Sequence, residues 1–554
     1  MLLKSSNTNT KSFFLFFIIL GVAFFLPFIG QAHLFDWDEI NFAEIAREMR
    51  ISKNYSQPQI NFQLFTEKPP LFFWLQAIAM KCFGVNEFSA RFPNALLGVL
   101  VLPILYSIGK KVKDHLLGVI WAISYACAIL PHLYFKSGII DPWFNFFIVL
   151  ALYGVMVTIE KKRDGVSAWK WICFSGCMAG LSILTKGPAA LIVIGLTALV
   201  YIILQKGKSF LSISQILVFA GVMSLTVGAW FGFDFIKNGP QFIVQFTIRQ
   251  WELFSSKDAG HGGFLFYHVV VLFFGCFPIA PFFIQSMLSR EKMDPRIHLF
   301  RRWMLILFWV VLVLFSIVQT KIVHYSSLCY YPISFLASIS IYDLLLHNKR
   351  VTKATKIMIA VSAFPFILAS FLVYYFSKNM WILKSLLSKD LFAVENLQAH
   401  VVWTGWEFLP GLGLLAGVVL FFLYLNRNQN QQAILSLFIG AVFFIQCGLI
   451  LYINRVESIS QKANIDFWKQ HAMEDCYKTT FGYKTYTTYF YGEVKPEQNK
   501  NYNNQDWLLH GKIDKPVYIS CKVNDKDVIK TEIPDAIFLY HENGFYFFKR
   551  GVLP

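Results

Sequence analysis

The sequence has little charge. Only 15% of its 554 residues are Asp, Glu, Lys or Arg, whereas 56% are hydrophobic. Soluble domains carry about 25% charged residues, so this balance excludes an ordinary soluble protein and indicates a polytopic membrane protein. Acidic residues are scarcer than basic ones, 33 against 50, for a formal charge of +17. The basic excess lies mostly between apolar runs, where the positive-inside rule puts it, and so does not mark a nucleic-acid surface. The nine cysteines include no CxxC pair and no zinc-finger spacing; most sit in apolar runs, as buried packing residues do. There is no Gly-rich phosphate loop, no Rossmann-like soluble unit and no internal repeat.

What is abundant is phenylalanine, with 58 copies. A transmembrane helix needs about 20 mostly apolar residues, and on that measure about thirteen spans are expected. They are 13–31, 91–109, 115–134, 142–159, 168–184, 188–205, 211–236, 264–288, 302–319, 326–346, 355–377, 404–425 and 432–453. The first reads as a retained anchor rather than a cleaved signal, although Lys4 and Lys11 precede it and IGQA (29–32) ends it. KKVK (110–113), EKKR (160–163), QKGK (205–208), the 290–302 stretch, NKRVTKATK (348–356) and Arg427 all fall on one side if the N-terminus is cytoplasmic. That alternation predicts N-terminus in and C-terminus out.

The expected organisation is a membrane domain over 1–453, with a first outer loop at 32–90, and a small outward soluble α/β domain over 454–554. In the loop, DEINFAEIAREM has apolar residues at helical spacing beside a polar stripe and reads as an amphipathic helix on the membrane surface; PPLFFWLQAIAMKCFG reads as a second. In the C-terminal region TTYFYGEV, KPVYISCKV and AIFLYHENGFYFFKR read as strands, the last with a turn at Glu542–Asn543–Gly544. Cys476 and Cys521, the only cysteines in that region, are expected to form a disulfide in an oxidising compartment.

The loop opens with DWDEI, and its acids have two readings. Asp36 three residues before Glu39 approximates a capping box, and Asp38 suits a helix N-terminus. Alternatively Asp36 and Asp38 form a DxD pair that holds a divalent cation. Other polar residues gather at outer span ends: Glu67 and Lys68 before Pro-Pro, Asp141 before Pro142, and then Lys186, Lys321, His324 and Tyr325. Asp141 is also well placed as a cap, and helix-end lysines commonly snorkel. His261 and His268 form a weak metal-ligand pair in a glycine-rich loop.

DEINFAEIAREM, EKPPLFFWL, NEFSARFPNALLG, LTKGP and KIVHYSSLCYYP, in this order, resemble the aminoarabinose-transferase (ArnT-like) and protein-mannosyltransferase superfamily of GT-C glycosyltransferases. RQWELFSSKDAGHGGFLFYH (249–268) resembles that superfamily's later outer loop. The resemblance implies a GT-C fold and inverting transfer of a sugar from a polyprenyl-phosphate donor at the outer face of a bacterial inner membrane. The acceptor it implies is a lipid A-type lipid or glycan; a protein O-glycosyltransferase is the alternative. It places Asp38, Glu39 and Asp141 as catalytic acids, and Glu67, Lys68, Lys186, Lys321, His324 and Tyr325 around the donor. Arg91 falls into a structural ion pair with a first-loop carboxylate. The chain departs at Asn41, where the family often carries a basic residue. A transporter would place its ionisable residues near the midplane, and a scaffold would not need this set.

Overall fold

The computed structural model describes residues 10–207, 210–255, 263–289, 293–347 and 349–552. Among these, eight helices are long and apolar enough to cross a membrane: Glu87–Val112, Asp141–Arg163, Ile213–Asn238, Pro295–Ile317, Val323–Leu346, Lys353–Lys378, Leu409–Asn426 and Asn430–Ser460. A ninth span is the pair Tyr267–Gly275 and Ala280–Leu288, bent by 111° at a break that contains Pro278. The chain is a multi-pass membrane protein. The other four expected spans coincide with helices Thr10–Phe25, His115–Cys127, Trp169–Lys186 and Ala189–Leu204, of 16, 13, 18 and 16 residues. A 13-residue helix is only ~20 Å long against a hydrocarbon core of ~30 Å, so length and composition alone support eight or nine spans.

Small residues let neighbouring spans approach. A Cβ on Gly417 would meet Gly440 Cα at 2.8 Å, and one on Gly109 would meet Gly118 Cα at 2.7 Å. Without a hydrophobic force between helices in lipid, such contacts carry the packing. Large side chains fill what remains, with Trp121, Trp303, Tyr106, Tyr125, Tyr330 and Tyr331 all fully buried.

The first-loop helix, Asp38–Ser52, differs from its expected place. It does not lie on a surface: every residue from Glu39 to Met49 is buried, including Glu39, Asn41, Glu44, Arg47 and Glu48. Its apolar side packs on the second loop helix, Leu71–Phe83, through Phe42, Phe72 and Phe73. The soluble domain covers its polar side, and Arg47 donates to Val494 O at 2.7 Å. Ile40, Ala43 and Ala46 share one apolar cluster with Phe467, Trp468, Phe490 and Phe547 of the soluble domain.

The long helix Asn430–Ser460 runs out of the bundle into helix Lys462–Gln470 and a four-stranded sheet. The strand order is Tyr477–Phe481, Val517–Lys522, Phe545–Arg550, Ala536–Glu542, with the first pair parallel and the others antiparallel. The last two form the expected hairpin, turning at Asn543 with φ 53°. TTYFYGEV is not a strand: Thr487–Phe490 is a short helix, and Thr487, Thr488, Phe490 and Tyr491 are all buried. The expected disulfide is also absent, because Cys476 and Cys521 are both free thiols. Cys521 pairs with Phe481 while Cys476 precedes Tyr477, at the other end of that strand. At ~3.3 Å per residue the two lie ~16 Å apart, well beyond the ~7 Å limit for a bridge.

Candidate active site

The polar residues gather where the first loop, the ends of several spans and the soluble domain meet. Asp36 does not cap the first-loop helix. The N-cap residue is Trp37, and no side chain caps there. Asp36 Oδ1 instead accepts from Tyr486 N at 3.1 Å, and its own N donates to Gln461 Oε1 at 3.4 Å, both in the C-terminal region. Asp38, at the first helical position, turns the other way, its Oδ2 3.6 Å from His324 Nε2. The DxD carboxylates therefore diverge and do not share a cation. Among the described residues no group of three or more His, Cys, Asp or Glu could hold a metal ion. His261 lies outside the described residues. His268 is buried, and among the described residues neither of its ring nitrogens has a hydrogen-bond partner.

Asp141 likewise is not a cap. Ile140 holds that position in helix Asp141–Arg163, and Asp141 pairs with Lys186. Asp141 Oδ2 has no hydrogen-bond partner and stands 4.0 Å from His324 Nε2. One imidazole thus lies between two carboxylates. Its turn, Val323–Cys329, is pinned by Ser327, whose Oγ accepts from Asn145 Nδ2 at 2.8 Å and bonds Tyr134 Oη at 2.7 Å. The Lys186 ammonium also lies 5.3 Å from the Tyr325 ring centre, a cation–π contact. The next residue, Gly187, has φ +96°, and a Cβ there would meet Phe246 Cζ at 3.0 Å. A side chain at 187 would therefore be strained in its backbone and would crowd the Phe246 ring of a later helix.

That helix, Gln241–Ser255, supplies a residue sequence reasoning did not single out. Arg249 holds Glu67 through Nε at 3.0 Å and Nη2 at 2.7 Å, and Gln250 Nε2 donates to Glu67 O at 3.1 Å. The only signal was an arginine in a stretch otherwise read for its aromatics. Lys68 is half-buried and, among the described residues, has no hydrogen-bond or ion-pair partner. Burial lowers its pKa; Lys186 adds to this, against the opposing pull of Glu67, Asp38 and Asp141.

Two expected site residues stand elsewhere. Glu39, adjacent to Asp38, is turned inward. Its Oε1 and Oε2 accept from Arg91 Nε at 3.0 Å and Nη2 at 2.8 Å, and the backbone N–H groups of Gly138 and Phe35 complete the set. Burial opposes ionisation of Glu39, but Arg91 and these N–H groups outweigh it and hold the carboxyl below its usual range. Arg91 also donates to Ile29 O, Ala32 O and His33 O. Glu39 is therefore a buried structural partner, with no oxygen left for a substrate. Lys321 Nζ donates to Phe315 O, Ser316 O and Val318 O at 3.0, 2.6 and 2.6 Å. It closes the end of helix Pro295–Ile317 and points away from the carboxylates.

Residues 67–231 match the dolichyl-phosphate-mannose-protein mannosyltransferase family. The undecaprenyl phosphate-alpha-4-amino-4-deoxy-L-arabinose arabinosyl transferase of Wigglesworthia glossinidia brevipalpis is 23% identical over 460 residues, 79% of this chain and 80% of the relative. The corresponding protein 1 of Proteus mirabilis is 25% identical over 333 residues. That match spans 59% of each of the two chains. Among solved structures, ArnT from Cupriavidus metallidurans bound to undecaprenyl phosphate superposes with a TM-score of 0.76 at 17% identity, covering 98% of both chains. Likeness at that identity establishes the fold, which is GT-C.

Proposed function

We propose that this chain transfers a sugar from a polyprenyl-phosphate donor to an acceptor at the outer face of the bacterial inner membrane, with its N-terminus inside and its soluble domain outside. The observation that carries this reading is Lys68: an ammonium with no hydrogen-bond or ion-pair partner among the described residues, lying in the field of Glu67, Lys186, Asp38 and Asp141. Lys68 binds the donor phosphate, with Lys186 beside it, and both stabilise the charge that develops on the phosphate as it leaves. Arg249, by holding Glu67, fixes the backbone that carries Lys68. An apolar cavity of about 750 Å³ supports a lipid tail. It lies between helix Ala189–Leu204, which follows Lys186, and helix Pro295–Ile317, which precedes His324; Leu196, Val200, Leu305, Val310 and Leu314 line it.

Asp38 is the one carboxylate of the group with substantial exposure, 40% of its side chain. It faces the acceptor. For a hydroxyl acceptor it is the general base of a single inverting displacement. For a phosphate acceptor it orients the nucleophile and steadies the positive charge on the sugar. His324, between Asp38 and Asp141, holds both in place. The relatives named as arabinosyl transferases and the structure bound to undecaprenyl phosphate support the donor class. A lipid A-type lipid or glycan is the acceptor we favour over a protein.

The test is transfer by the purified chain in nanodiscs, using radiolabelled sugars on undecaprenyl phosphate. Transfer that requires the lipid phosphate and fails with nucleotide sugars is expected. Transfer from a nucleotide sugar would overturn the reading.

A further inference from the structure

We propose that Trp37, Lys484 and Tyr486 form the acceptor subsite, and that it takes a phosphate-bearing saccharide head group. This rests on the glycosyltransferase reading above and assigns the soluble domain a part in it.

Trp37 immediately precedes Asp38 and is 44% exposed, although the helix it opens is buried from Glu39 onward. Its ring lies 5.5 Å from that of Tyr486 at 75°, an edge-to-face pair joining the first loop to the soluble domain. Lys484 Nζ lies over both rings, 5.6 Å from Trp37 and 5.3 Å from Tyr486. Lys484 is exposed and, among the described residues, makes no hydrogen bond or ion pair beyond those ring contacts. The Asp36 bond to Tyr486 N fixes the segment in this register.

The three groups have complementary chemistry. An exposed indole face packs against the apolar C–H face of a sugar ring. An ammonium held over two rings takes an anion on the same head group. Asp36 already accepts from Tyr486 N, and among the described residues Lys484 has no ion pair with it or with any other acid. The donor does not need this cation, because Lys68 and Lys186 are the cations assigned to its phosphate above. A head group seated on Trp37 would place its nucleophile beside the exposed Asp38 carboxylate. Because Lys484 and Tyr486 belong to the soluble domain, the site is complete only when that domain is docked.

The probe is the bisphosphorylated glucosamine disaccharide without acyl chains, titrated calorimetrically into the full chain in nanodiscs. Lys484→Ala should weaken its binding about tenfold, as befits one charge-assisted contact. Lys484→Arg should restore most of it, and the unphosphorylated disaccharide should not distinguish Ala from wild type. Trp37→Ala should weaken both disaccharides. Undecaprenyl phosphate, titrated into the same samples, should bind all variants alike. Equal disaccharide binding by wild type and Lys484→Ala would overturn the proposal, as would displacement of the disaccharide by undecaprenyl phosphate. Failure of undecaprenyl phosphate to bind even the wild type would instead sink the donor reading and leave the Lys484 comparison standing.

Discussion

His324 Nε2 stands 3.6 Å from Asp38 Oδ2 and 4.0 Å from Asp141 Oδ2, so residues far apart in sequence meet in one polar row. Lys186 extends it from the far side of Asp141. A helix-start acid has no use for such neighbours.

Asp38→Asn should therefore leave expression and membrane insertion normal while transfer falls by ~10²–10⁴-fold, the usual contribution of a general base. His324→Gln should cost less, because it loosens Asp38 without removing it. Steady-state transfer rates in matched amounts of folded protein measure both. Near-normal transfer by the Asn variant would return Asp38 to a helix-start role.

Lys68→Ala should raise the donor KM by roughly tenfold to a hundredfold, the worth of one charge-assisted hydrogen bond. The pH dependence carries a sign. Burial holds the free ammonium below its usual pKa, and a bound phosphate raises it. Donor affinity from this contact is full below the free value and is lost as pH rises through it, at a lower pH than for an ordinary lysine. Undecaprenyl-phosphate binding across pH 7–10 should show this decline in the wild type and not in Lys68→Ala.

Breaking the Glu39–Arg91 pair should act on folding. Both side chains are under 10% exposed, and removing one leaves the other charged and unpaired, at a cost of ~3–5 kcal/mol. Arg91→Met and Glu39→Gln should both lower the yield of monodisperse protein and its melting temperature. Well-folded but inactive Glu39→Gln protein would restore Glu39 to the catalytic set.

Glu48 is buried beside Glu44, which alone of the two pairs with Arg47. Burial first, then the Glu44 charge, push its carboxyl up to about 9 from 4.5. The folded chain thus keeps a proton that the unfolded chain gives up, and stability falls as pH rises from 4.5 towards about 9. Glu48→Gln, which keeps the shape and an acceptor for Phe62 N, should raise the melting temperature at pH 8 and change it little near pH 4.5. Equal melting of both proteins at every pH would place the proton elsewhere.

The orientation is tested with reporter fusions. A reporter that works only outside the inner membrane should be active when fused after Ser460 and silent when fused at Arg350. The reverse pattern would invert the assignment of faces.

Several features were legible from residues alone. Composition and apolar run length imply a membrane bundle, and the order of DEINFAEIAREM, EKPPLFFWL, LTKGP and KIVHYSSLCYYP indicates the GT-C class and most of the site's members. The hairpin at Asn543–Gly544 follows from its turn residues. Local chemistry decides each of these, because span length, turn geometry and motif order are written within short stretches. Other features depended on distant partners. The spacing of Ile40, Ala43 and Ala46 marks one apolar face but cannot say that the soluble domain, more than 400 residues later, packs against it. Asp38 and Glu39 are adjacent in sequence and alike in type; one faces His324 and the other an arginine 52 residues away, and that alone separates a free carboxylate from a structural one. Lys68 and Lys321 are both lysines next to helix ends, but three backbone carbonyls take up Lys321 while Lys68 has no partner among the described residues. A side chain's chemistry is set by what desolvates and neutralises it, and in this chain those groups come from other segments.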